Sequence, residues 1–107
     1  MAIQVTGTLL DACVLALLAD SDAYGYSLTQ SVRDTLDVSE STLYPVMRRL
    51  QTDDCLTTYD EPHSGRNRRY YSITERGLQK YRACLEEWEM FKKRIDSILG
   101  GGGNDEE

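Results

Sequence analysis

The sequence predicts a mainly helical α+β chain, with three short helices followed by a two-stranded hairpin and one long helix. Three observations predict it. Apolar residues recur at helical spacing three times before residue 51; two Thr/Tyr/Ile-rich runs flank the turn-forming cluster "PHSGRN"; and from Tyr81 to Ile98 an apolar residue returns every three or four positions.

The first helix rests on "LLDACVLALLA", Leu9 to Ala19, which is apolar almost all round and so needs partners on more than one side. The second spans about Ala23–Leu36, capped by Ser21 or Asp22, with Tyr26 or Ser27, Leu28, Val32 and Leu36 as its stripe. After the link "DVSE" comes a third, in which Leu43, Val46, Met47 and Leu50 repeat at i, i+3, i+4 and i+7. With Ser41 as its N-cap, Pro45 falls in the first turn, where a missing N–H is harmless. Its opposite face carries Ser41, Pro45 and Arg48, flanked by Thr42, Tyr44 and Arg49, a polar and cationic surface that core packing does not require. "CLTTYDE" and "RRYYSI" then form the hairpin, and Thr74 caps a final helix from about Glu75 to Leu99.

That last helix carries Tyr81, Cys84, Trp88, Phe91, Ile95 and Ile98 on one seam with a period of 3.5. Its residues reach roughly 37 Å at 1.5 Å each, whereas a chain of this size has a radius of gyration of about 13 Å. The helix therefore projects past its own domain, and the exposed seam predicts a homodimer with Cys84, Trp88, Phe91, Ile95 and Ile98 at the interface.

Composition narrows the function. A chain of 107 residues suits one domain with one small core. With 40% hydrophobic and 28% charged residues it has the make-up of a soluble globular protein. The opening "MAIQVTGTLLDACVLALLAD" lacks the basic segment of a secretion signal, and Asp11 interrupts an apolar run already too short to span a bilayer; a cytoplasmic location and no membrane association are expected. Cys13, Cys55 and Cys84 are odd in number and far apart, and are expected as buried small hydrophobes. His63 has no Cys, Asp or Glu at ligand spacing to organise a metal site, and no cofactor is expected. The chain shows neither a Ser/His/Asp set nor a phosphate-cradling glycine loop, which argues against an enzyme. The net charge is −6, yet residues 1 to 47 hold one base, Arg33, while Arg48, Arg49, Arg66, Arg68 and Arg69 cluster on the third helix and the hairpin.

Two helices joined by a short turn, the second with a basic outer face and a hairpin beyond, make the layout of a winged helix-turn-helix. "VLALLADSDAYGYSL", "STLYPVMRRLQTDDCL" and "GRNRRYYSITERG", in that order, resemble the signature stretches of the PadR-like transcriptional regulators over nearly the whole chain. Asp54 stands where that family usually has glycine, and Asn67 where it often has proline; aspartate tolerates a left-handed backbone better than most residues. The resemblance implies a DNA-binding domain over residues 1–74, with the first helix also contributing to the dimer, and a dimerisation helix over 75–99; the glycine-rich and acidic composition of 100–107 predicts a disordered tail. It implies a repressor relieved by a small molecule or another signal.

In such a fold Ser41, Thr42, Tyr44, Arg48 and Arg49 face the major groove or its phosphates, and Arg66, Arg68 and Arg69 lie along the flanking backbone or minor groove. Strand alternation sends Arg68 and Arg69 to opposite faces; Arg66 and Arg68 are favoured for phosphate. The partner is expected to be a pseudo-palindromic duplex. Some relatives hold flat aromatic compounds against a tryptophan on the last helix, and Trp88 occupies the matching place; Ala12, Leu15 or Ala16 and Tyr81, Leu85 or Phe91 would wall such a slot. The alternative is an adaptor that keeps the winged shape and binds protein instead of DNA.

Overall fold

In the computed structural model, which describes residues 7–100, the elements run α1 (Gly7–Asp20), β1 (Ala23–Tyr24), α2 (Gly25–Leu36), α3 (Glu40–Thr52), β2 (Leu56–His63), β3 (Arg66–Ile73) and α4 (Glu75–Leu99). The predicted tail, apart from Gly100, lies outside the described residues. Because α1 is apolar on all sides, it sits at the centre and packs against α2, α3, β3 and α4. Its Leu10, Val14, Leu15 and Leu18 are enclosed by Leu28 and Val32 of α2, the Leu43/Val46/Met47/Leu50 stripe of α3, and Cys55 and Leu56. Full burial of such side chains is worth about 1.5–3 kcal/mol each.

The entry to α2 departs from expectation. The helix begins at Gly25, and its N-cap is Tyr24, without a side-chain cap bond, rather than Ser21 or Asp22. Ala23 and Tyr24 are instead extended and pair with Tyr71 and Tyr70 as a third strand. Pairing with β3 gives these two residues ladder partners that a helical turn would not, and a β-carbon on Gly25 would meet the Tyr71 ring at 3.0 Å. Tyr26 points outward, leaving Leu28 and Val32 as the buried stripe. Asp37 ends α2 in the left-handed conformation, φ 56°, its N–H bonded to the Arg33 carbonyl at 2.8 Å.

For α3 the cap is Ser39, not Ser41. The Ser39 Oγ accepts from the Thr42 N–H at 3.2 Å, so the helix starts two residues earlier than expected and Pro45 falls in the second turn. Proline there removes the bond to the Ser41 carbonyl and leaves that oxygen to solvent. At the other end Asp54 takes φ 64°, as its glycine-like position requires, and the Cys55 N–H bonds back to the Leu50 carbonyl at 2.8 Å.

The antiparallel sheet has the order β1-β3-β2. Its hairpin closes through a two-residue turn, Ser64 and Gly65, both at positive φ, so Pro62 and His63 continue the ladder opposite Asn67 and Arg66 instead of joining a six-residue loop. Pro62 is tolerated because β2 is an edge strand. Leu56, Tyr71 and Ile73 face the core; Tyr24, Tyr59 and Tyr70 share the other face, with ring centres 5.6 to 5.9 Å apart along the row.

Thr74 joins this sheet to α4. Its hydroxyl donates to the Asp54 carbonyl at 2.7 Å and accepts from the Gly77 N–H at 2.9 Å. From there α4 runs past the domain, giving principal extents of 61 × 32 × 20 Å and a radius of gyration of 16.2 Å.

Candidate nucleic-acid interface

The capping of α3 sets which side chains it presents. With Leu43, Val46, Met47 and Leu50 buried, Ser41, Thr42, Tyr44, Pro45, Arg48 and Arg49 are left exposed. Ser41 and Thr42 hydroxyls both lie within 3.0 Å of Ser39 Oγ, gathering three hydroxyls at the helix start. One turn on, Arg48 Nη1 donates to the Tyr44 hydroxyl at 3.4 Å, with the guanidinium 5.6 Å from the Tyr44 ring centre.

Beside this face is an open cleft of about 610 Å³, walled by Gly25, Tyr26 and Thr29 of α2, by Glu40, Tyr44, Met47, Arg48, Gln51 and Thr52 of α3, and by Arg69 and Tyr71 of β3, so that one carboxylate shares it with two cations. Two cations from two different elements, Arg48 and Arg69, thus open onto one cleft with the aromatic Tyr44. Gln51 and Thr52 were absent from the expected site although they continue the exposed face one turn beyond Arg48; helical continuation alone would have found them. Tyr26 and Thr29 come from α2 and carry no sequence signal toward this site.

Arg49 lies elsewhere. Its guanidinium forms an ion pair with the buried carboxylate of Asp11 on α1, and Lys80 of α4 approaches the other oxygen of the same carboxylate at 3.8 Å. The α1 side of α3 claims Arg49, so of the paired arginines only Arg48 faces the cleft.

The wing arginines divide between the two faces of the sheet as alternation requires. Arg69 lies on the face toward α2 and α3, 3.6 Å from Asp60. Arg68 lies on the far face, its guanidinium carbon 4.5 Å from the Tyr24 ring centre. Arg66 is exposed at the tip beside the turn.

On α4 the seam splits. Tyr81 packs against the core and Cys84 is buried, while Leu85, Phe91, Ile95 and Ile98 are exposed and Trp88 is half-buried beneath Lys92, whose Nζ is 5.9 Å from the indole centre. The effector slot needs one correction: Leu15 has no exposed surface, being enclosed in the core, and cannot wall a site between subunits. Ala12 and Ala16 keep partial exposure. Burial pushes the Cys13 and Cys84 thiols up, which disfavours the reactive thiolate. Among the described residues no His/Cys/Asp/Glu group could hold a metal ion, and no helix is long and apolar enough to cross a membrane.

The profile of the transcriptional regulator PadR-like family matches residues 14–83. A transcriptional regulator of Mycobacterium tuberculosis is 38% identical over 89 residues, covering 82% of this chain and 80% of its own. An uncharacterised protein of Lysinibacillus sphaericus is 31% identical over 97 residues, covering 86% and 89%. Among solved structures, a Streptococcus mutans protein superposes with a TM-score of 0.85 at 33% identity, covering 99% of this chain and all of that one. A PadR family transcription regulator of Clostridium difficile superposes with 0.75 at 27% identity, covering 84% and 97%.

Proposed function

We propose that this chain, which belongs to the PadR-like family of transcriptional regulators, acts as a homodimeric DNA-binding repressor that a flat aromatic effector releases. Its membership sets it among regulators, not enzymes. What carries the DNA-binding proposal is the convergence of Arg48 and Arg69 on the cleft beside Tyr44. A helix in the major groove offers its side chains to base edges, and a strand beside it reaches the adjoining phosphates. Arg48 is assigned to base edge or phosphate, Arg69 and the tip residue Arg66 to phosphate, and Tyr44 with the Ser41/Thr42 hydroxyls to orientation on the backbone. The acidic total does not oppose this, since contact is decided by local sign and Arg48 and Arg69 open onto one cleft, although six of the twelve Lys and Arg residues lie apart on α4.

The exposed apolar run of α4, Leu85, Phe91, Ile95 and Ile98, supports self-association, because each side chain left in water forfeits about 1.5–3 kcal/mol. Trp88 borders that run. Aromatics meeting across a two-fold axis leave a gap suited to a planar apolar molecule.

The test is binding to duplex fragments from upstream of the chain's own gene across a salt series. If each subunit neutralises three to four phosphates, the log–log slope falls between about −5 and −7. A slope near zero removes the proposal and leaves the protein-binding adaptor in its place.

A further inference from the structure

Asp11 is the one charged side chain buried among the described residues, at 5% exposure. It lies on α1, within the helix that forms the centre of the core, and its two carboxylate oxygens are divided between two other helices: Oδ1 with Arg49 of α3 and Oδ2 with Lys80 of α4. Stability alone does not call for this arrangement, since a buried ion pair replaced by well-packed apolar groups is commonly neutral or stabilising. What the carboxylate supplies that a leucine could not is direction. Burial of the Leu43/Val46/Met47/Leu50 stripe sets which face of α3 meets the core, but apolar contact alone discriminates small rotations weakly, whereas an anion enclosed on α1 fixes where the Arg49 guanidinium must go. Arg49 follows Arg48 in the chain, so fixing one sets the angle at which the other leaves the helix.

We infer that Asp11 is a positioning residue for DNA recognition: by holding Arg49 it fixes the rotation of α3 about its own axis, and by sharing its carboxylate with Lys80 it ties that rotation to α4. The inference rests on the proposal that α3 meets DNA. Asp11 also withholds Arg49 from the phosphates, so that one of the two adjacent arginines stays out of sequence-independent contact. Freed, Arg49 adds a phosphate contact of its own, which strengthens binding to any duplex and blurs discrimination among them.

The experiment uses the full chain and three variants, Asp11→Asn, Arg49→Gln and the double variant, titrated by fluorescence anisotropy against a bound upstream fragment and a scrambled duplex over a salt series. Asp11→Asn is expected to bind the scrambled duplex more tightly than wild type, to steepen the log–log salt slope by about one per subunit, and to lose about tenfold in the ratio of specific to scrambled affinity. If Asp11 acts through Arg49, the double variant shows the salt slope of Arg49→Gln alone, and the two effects on the affinity ratio do not add. Additive effects, or an unchanged slope in Asp11→Asn, overturn the inference while leaving the DNA proposal standing. Wild-type protein that binds neither duplex overturns both. Should Asp11→Asn fail to fold, Asp11→Glu decides: restored folding with the wild-type affinity ratio supports a positioning carboxylate, and restored folding with a collapsed ratio opposes it.

Discussion

Arg68 and Arg69 are neighbours in sequence and opposed in space: one caps the Tyr24 ring at 4.5 Å on the outer face of the sheet, the other turns to the cleft it shares with Arg48. Arg69→Ala is therefore expected to weaken binding to all duplexes by about tenfold and to flatten the log–log salt slope by about one per subunit. Arg68→Ala is expected to leave that slope unchanged and to cost about 0.5–2 kcal/mol of stability, the range for a partly buried cation over an aromatic ring. Equal slopes for the two variants would show that the wing's two faces contribute alike.

Gly77 lies where the first turn of α4 crosses the junction of α3 and β2. A β-carbon there would stand 2.2 Å from the Cys55 carbonyl oxygen and 2.7 Å from Ile73 Cγ1. Both neighbours are held, the carbonyl by its bond from the Thr74 N–H and Ile73 by the core. Gly77→Ala is expected to cost about 3 kcal/mol, which for a domain of this size lowers the melting temperature by roughly 12–20 °C; calorimetry or a circular-dichroism melt measures it.

The Tyr59 hydroxyl donates to Asp22 Oδ2 at 2.7 Å, and that bond, followed by desolvation and the negative charges of Asp22 and Glu61, pushes its phenol from 10.0 up to about 12. A raised folded-state value means the protonated phenol stabilises the fold; the contribution is complete below pH 10 and is lost as pH rises through 12. Tyr59→Phe should accordingly be less stable than wild type at neutral pH, with the gap in denaturation midpoint closing between pH 10 and 12. A gap constant across that range would show that the bond to Asp22 does not persist in solution.

Phe91 and Ile95 are exposed on the projecting half of α4. Replacing either with Glu places a charge where the proposed partner helix would pack, and is expected to weaken self-association by at least about a hundredfold, since removing one buried apolar side chain costs on the order of 3 kcal/mol before the charge is counted. Sedimentation velocity reads the result. The same variants should keep the wild-type fold, because neither side chain belongs to the chain's own core.

Trp88 is the single tryptophan, so its fluorescence reports one site. A planar dye is expected to quench it, and Trp88→Ala to weaken dye binding about tenfold while the dimer persists. Unchanged dye affinity in that variant would place the ligand elsewhere.

Much of this was legible in the sequence, where one element decides the outcome by itself. The 3.6-residue period of α3 gave its buried face, and the 3.5-residue seam of α4 with its length implied a helix longer than the domain. Thr74 as a cap followed from side-chain chemistry, and Asp54 as a left-handed residue from the glycine usual at that place in the family it resembles. Features settled by a distant partner were not legible. Ala23 and Tyr24 form a strand only because Tyr70 and Tyr71 arrive beside them. The hairpin turn shrank to Ser64–Gly65 because ladder bonds extended through Pro62, a residue usually read as a strand breaker. Arg49 left the expected site for Asp11, 38 positions away, and Asp11 showed itself in the sequence only as an interruption of an apolar run. Leu15 and Ala16 are adjacent on a helix apolar all round, and only packing decides which is enclosed.

The strand β1 does more than lengthen a sheet. Two residues wide, it pairs the start of α2 with the return strand of the wing and so ties the helix pair to the wing through backbone hydrogen bonds. In the proposed DNA complex such a tie leaves adjustment to the duplex, which would bring its groove and backbone to the spacing between Arg48 and Arg66. Sequences that narrow or bend at little elastic cost are then favoured at base pairs that no side chain touches, and a set of selected binding fragments should show that preference between the contacted positions.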